Sequence, residues 1–108
     1  MIVVVTADAE TDLERIGDAI AQHNPTRAIT FVRELRRKCE TLALAPRRFA
    51  LIPRYEHTNI RRVVHGNYLI FYRINAELIE VVHNAELIEV VHTLHGAMNF
   101  SAILFPDE

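Results

Sequence analysis

Nine residues, Asn75-Ala76-Glu77-Leu78-Ile79-Glu80-Val81-Val82-His83, are followed at once by the same nine, Asn84 through His92. The unit contains Leu-Ile-Glu-Val-Val, a run with strong strand character. Side chains along a strand alternate between faces with period two. Nine is odd, so one continuous strand through both copies would turn Leu78 and Leu87 to opposite faces unless a bulge intervenes. Two short copies, with no third unit elsewhere in the chain, do not make a solenoid. Three arrangements remain open. One copy is extruded as a loop while the other pairs with residues 68–74. The copies form a hairpin around His83-Asn84-Ala85 and add a strand. Or the additional strand pairs with a second molecule, giving a homodimer. Burial favours the last two, because each fully buried large apolar side chain contributes about 1.5–3 kcal/mol.

The segments before the repeat alternate between helical and strand patterns. Residues 1–6 read as a short buried strand, with an apolar start but no basic lead of the kind a signal peptide carries. Residues 8–23 read as a helix with Leu13, Ile16 and Ile20 on one face. Thr11 and Glu14 have the spacing of a capping box, Thr6 is a rival cap, and the acids at 8, 10, 12 and 14 suit the positive end of the helix dipole. Asn24-Pro25 marks a boundary: Asn24 can cap a second helix and Pro25 fits its first position. That helix is expected to run to about Ala45, with Ala28, Val32, Leu35, Cys39 and Leu42 as its buried stripe, and to stop at Pro46. Residues 46–59 read as an irregular connection. Strand patterns then occupy 60–65 and 68–74 around Gly66-Asn67, a pair suited to a type II′ hairpin. Tyr68 to Tyr72 is apolar on both faces, as expected of a central strand. Phe100, Ile103 and Leu104 have the spacing of a short C-terminal helical turn.

The length, 108 residues, fits one domain spanning 1–108 around one core. No apolar run exceeds five residues, too short to span a bilayer. Cys39 is the single cysteine, which excludes an intrachain disulfide and favours a reducing, cytoplasmic setting. Net charge is −2 but uneven: residues 33–62 hold nine bases and three acids, a balance of +6, between flanks of −3 and −5. Such a block can meet a nucleic acid or an acidic protein, or can be a solvated helix face.

Strand, helical hairpin, then antiparallel sheet is an α+β order, and particular residues sharpen it. Ala9-x-x-Asp12-Leu13-x-x-Ile16, Asn24-Pro25-x-x-Ala28 and Leu35-Arg36-x-x-Cys39-x-x-Leu42-Ala43-x-x-Pro46 are similar to the two helices of ParE toxins. Ile60-Arg61-Arg62-Val63-Val64-His65-Gly66-Asn67-Tyr68-Leu69-Ile70-Phe71-Tyr72-Arg73 resembles their hairpin, and Glu89-Val90-Val91-x-x-Leu94-His95-Gly96 their last strand and its exit. The chain thus resembles a ParE-type toxin of the ParE/RelE superfamily over nearly its whole length, apart from the extra nine residues. The resemblance implies a helical hairpin packed on a C-terminal antiparallel sheet. It implies the toxin of a type II toxin–antitoxin system, of the kind associated with plasmid stabilisation, held inactive by a ParD-like antitoxin and directed at DNA gyrase. The RelE branch instead cleaves mRNA on the ribosome. A toxin-like fold that keeps antitoxin affinity without toxicity is a third reading. It draws on Met98 and Asn99, which stand where ParE-like chains commonly carry an Arg-Asp-type pair, and on the duplication itself.

A metal-independent ribonuclease needs a base, an acid and an arginine gathered on one phosphate. Arg62 and His95 are the candidates for that work, Arg61 joins them as a partner-binding candidate, and Glu56 and His57 lie just upstream. Adjacent Arg61 and Arg62 point to opposite faces of a strand, so at most one enters a site directly. His95 before Gly96 can equally bond a turn. The histidines and the lone cysteine show no metal-ligand spacing, and no cofactor motif is present. A slightly acidic chain suits a protein target better than ribosomal RNA, so a gyrase inhibitor is favoured over a nuclease.

Overall fold

The computed structural model describes residues 2–76 and 86–107. Among them, strand β1 (Ile2–Val5) leads into helices α1 (Ala7–Ala21) and α2 (Pro25–Thr41), then strands β2 (Ile60–His65), β3 (Tyr68–Ala76) and β4 (Glu86–His95) and the short helix α3 (Phe100–Leu104). The sheet order is β1-β4-β3-β2. β2, β3 and β4 are antiparallel neighbours, and β1 joins β4 in parallel. The α+β expectation holds, with a mixed sheet because β1 runs alongside β4.

The helical hairpin covers one face of the sheet. Ala9, Leu13 and Ile16 of α1 and Leu35 and Cys39 of α2 meet Val63, Ile70, Tyr72, Ile88 and Val90 in the main core. Asn24 caps α2 by accepting the Arg27 N–H at 3.0 Å, with Pro25 in the first turn. The helix stops at Thr41, and one more turn carries the chain to Pro46. Thr6, not Thr11, caps α1: its hydroxyl accepts from the Ala9 N–H at 3.2 Å, whereas the Thr11 hydroxyl turns back to the Ala7 carbonyl. α3 and the 50–60 segment close the opposite face, where Ile52, Ile60, Phe71, Leu94 and Phe105 form a second cluster.

β3 is central, as its two-faced apolar sequence predicts. His65 pairs with Tyr68 around Gly66-Asn67, and Gly66 takes the positive φ, 59°, that the first position of a II′ turn requires. The connection after α2 is less irregular than expected. It contains a 3₁₀ turn at Glu56–Thr58, and Leu51 bridges to Arg61 at the edge of β2.

The second repeat copy forms β4. Leu87 to Val90 pair with β1 on one side and with β3 on the other, so both hydrogen-bonding edges of this stretch are occupied. A hairpin of the two copies would need one of those edges, and the favoured added-strand arrangement does not form there. The remainder of the first copy, and with it any pairing to a second molecule, lies outside the described residues. The residues that come directly after each copy explain the choice. After His92 come Thr93 and Leu94, 1% and 5% exposed. With the first copy in the sheet those buried places would fall to Asn84 and Ala85. Replacing a buried leucine with alanine alone costs about 2–5 kcal/mol, and an unpaired buried amide adds to it.

Candidate functional site

Helix α1 grips β4 at a bulge. The pairing of β3 with β4 slips between Phe71 and Tyr72, because Phe71 opposes His92 while Tyr72 opposes Val90, leaving Val91 as the extra residue. The Thr6 hydroxyl donates to the Val90 carbonyl at 2.9 Å, on the near side of the bulge. On the far side, one carboxylate oxygen of Asp12 accepts the Thr93 N–H at 2.9 Å and lies 2.7 Å from Nδ1 of His92. Asp12 is 6% exposed. Sequence reasoning assigns this carboxylate to the helix dipole, but its actual partners are on a strand some eighty residues away. The missed signal is its place in the stripe. Ala9, Asp12, Leu13 and Ile16 share one helical face, and a carboxylate on a buried face needs hydrogen-bond donors opposite it.

That grip sets the position of the chain exit. His95 pairs with Tyr68, and Tyr68 with His65 on its other side, so the three rings cross the sheet in a row. Tyr68 meets His95 edge-on at 5.2 Å between centroids, and Phe31 of α2 packs on both Tyr68 and His65. Glu34 of α2 stands 3.8 Å from Nε2 of His65 and pairs with Arg27, whose hydrogen bond holds the Glu34 carboxyl below its ordinary range. His95 itself is exposed, and its Nδ1 accepts the Ala97 N–H at 3.0 Å. This ring nitrogen therefore organises the turn after it. Gly96 fits closely in that turn: its N–H donates to the Asn67 carbonyl at 2.8 Å, and a Cβ there would sit 3.3 Å from the same oxygen, a tight contact.

The arginines take separate roles. Arg61 faces the helical side, where its Nη1 donates to the Phe49 carbonyl at 2.6 Å and the Arg47 carbonyl at 3.3 Å. Beside it, the Tyr72 hydroxyl donates to the Pro46 carbonyl at 2.6 Å, and burial raises the Tyr72 pKa. Arg61 thus fastens the 46–49 segment onto the sheet. Arg62 faces the other way, its guanidinium 5.8 Å from the Phe100 ring. The pair proposed for phosphate chemistry is not brought together. Arg62 opposes Phe71 and His95 opposes Tyr68, and residues three apart on β3 point to opposite faces of the sheet. Glu56 and His57 lie in the 3₁₀ turn of the connection, which leads into Ile60 at the end of β2 opposite to His65.

The structure is similar to one solved for a chromosomal ParDE TA system from P. aeruginosa. The TM-score is 0.68 at 15% sequence identity, over 88% of this chain and 95% of that one. No curated protein sequence matches at a significant level. The family described as the ParE toxin of the type II toxin–antitoxin system parDE matches residues 3–100. The helical hairpin on its sheet is thus a fold shared with that structure, and with the family model covering residues 3–100 the chain belongs to the ParE toxin family of type II toxin–antitoxin systems.

Proposed function

We propose that this toxin acts on a protein, DNA gyrase, and is neutralised by a ParD-like antitoxin. Family membership supports the toxin–antitoxin setting. The observation that carries the choice of target is the separation of Arg62 from His95 on opposite faces of the sheet. General acid–base cleavage of RNA requires such groups to converge within hydrogen-bonding reach of one phosphate. Binding to a protein makes no such demand. Preservation of the β4 exit, with Thr93, Leu94 and Gly96 all engaged, favours a working toxin over a remnant despite Met98 and Asn99.

Controlled expression in a bacterial host tests this reading. Growth should stop, plasmid DNA should lose negative supercoiling, and co-expression of the antitoxin should reverse both. Growth arrest with unchanged supercoiling and cleaved mRNA would assign the chain to the ribonuclease branch. Normal growth with a stable antitoxin complex would make it a non-toxic binder. Pairing of the additional copy with a second molecule is a separate proposal, read from the solution mass of the chain with and without residues 75–83.

A further inference from the structure

Thr93 is buried, and its hydroxyl has no hydrogen-bond partner among the described residues. A buried hydroxyl left so is destabilising unless a bound polar group answers it. The side chain points to the helical side of the sheet, because Thr93 opposes Ile70 of the main core. On that side, between α1 and the β4 exit, lies a cleft of about 180 Å³. Asp12 and Thr93, both buried, line its depth, and Arg15 and His95, both exposed, stand at its mouth. Ile16 and Met98 supply apolar wall. Asp12 meets the strand through one oxygen: Oδ2 faces both the Thr93 N–H and the His92 ring, which leaves Oδ1 as an acceptor. At the mouth, Nδ1 of His95 accepts the Ala97 N–H, so the proton of the neutral ring sits on Nε2 and that nitrogen is a donor.

We infer that this cleft binds a small zwitterion, an α-amino acid with a short aliphatic side chain. Its ammonium group meets Asp12 Oδ1 and the Thr93 hydroxyl, its carboxylate meets Arg15 and the Nε2–H of His95, and its side chain lies against Ile16 and Met98. This goes beyond the gyrase reading and stands without it. Charge selects the class of ligand. The lining holds one carboxylate and one guanidinium, so a ligand with a single charge would set that charge beside a like one. A zwitterion answers both. Asp12 and Arg15 are three apart on α1, where side chains begin about 5–6 Å from each other, a span that the two charged groups of one α-amino acid can bridge. Volume sets the size. The cleft matches the liquid volume of about six waters, which suits an aliphatic amino acid such as valine better than an aromatic one.

Titration of the intact chain, followed by the amide signals in nitrogen–proton NMR, tests this directly. The probes are L-valine, isovalerate, which is valine without its ammonium group, and isobutylamine, which is valine without its carboxylate. Valine should bind saturably at millimolar concentrations, shift the amides of Thr93, Leu94 and His95, and bind about tenfold or more tighter than either half-molecule, as expected when charge-assisted hydrogen bonds are lost. Thr93→Val removes only the hydroxyl. It should weaken valine binding about fivefold or more while leaving the urea midpoint unchanged or higher, because the group it removes is buried and unpaired. Arg15→Gln, at an exposed position, should weaken valine binding about fivefold or more, and Arg33→Gln, exposed on α2 and outside the cleft, should leave it unchanged. Circular dichroism confirms that each variant is folded, and Arg15→Gln decides the matter if Thr93→Val is not. Absence of saturable valine binding, equal binding of either half-molecule, or valine binding indifferent to Arg15→Gln or to a folded Thr93→Val overturns the inference. Inactivity towards gyrase alone would not, since valine is measured separately.

Discussion

Asp12 occupies a position where a helix facing a core ordinarily carries an apolar side chain. Its carboxylate is tolerated because two donors, the Thr93 N–H and the His92 ring, converge on one oxygen. Asp12→Ala should therefore destabilise the fold by about 1–3 kcal/mol in urea unfolding, because the Thr93 N–H is left buried and unpaired. Asp12→Asn keeps an acceptor oxygen and should cost less; equal losses would contradict the role given to the carboxylate. Cys39 offers a second test. Burial pushes its thiol up to about 11, so the folded state holds the proton to higher pH than the unfolded chain does. Its contribution to stability is complete below the unfolded value near 9 and declines as pH rises towards 11, and burial moves Tyr72 in the same direction. At pH 8 a thiol reagent should modify Cys39 only as fast as the chain opens; rapid labelling of the native protein would show that the side chain is not shielded. Periodicity made Cys39 legible as a core residue. It could not make Asp12 legible as a strand anchor, because the donors it needs come from the opposite end of the chain.

The repeat matters at the scale of elements. Strand patterns, the Gly66-Asn67 turn and the Asn24-Pro25 junction were all readable, since each follows from local backbone preference. The fate of two identical copies was not, because local preference is the same for both. What separates them is the tertiary environment of their successors: Thr93 and Leu94 fill buried places that Asn84 and Ala85 would not. The bulge at Val91 reconciles Ile88 and Val90, on the helical face, with Leu94, packed on the opposite one. Deleting residues 75–83 should leave the Ile74–Ile88 pairing in place and join those residues through Asn84-Ala85-Glu86-Leu87, a short connection. Shortening that link should stabilise the fold by roughly 1 kcal/mol through loop-closure entropy, read from the urea midpoint at unchanged slope. A lower midpoint would mean that the first copy contributes packing of its own.

For the whole molecule, the fold resembles the expected family plan closely, and the candidate site resembles the expected nuclease constellation poorly. Residue types alone suggested Arg62 and His95. Register decides against their cooperation, and register depends on how β2, β3 and β4 align, which the two residues do not reveal in isolation. Arg61 serves the 46–49 connection, and His95 serves its own turn. A single substitution separates these views at the level of activity. If His95 is an organiser of the exit, His95→Asn, whose side-chain oxygen can also accept the Ala97 N–H, should retain growth arrest within about threefold. If it transfers a proton, the same change should lower activity by about a hundredfold or more.

Purified components distinguish a toxin directed at a protein from a ribonuclease. Gyrase is supplied with relaxed plasmid and ATP, the toxin is titrated in, and supercoiled product is followed on an agarose gel. Loss of supercoiling with increasing toxin, restored by stoichiometric antitoxin, is the predicted result. Undisturbed supercoiling, together with codon-specific cleavage of mRNA on ribosomes by the same preparation, would contradict it.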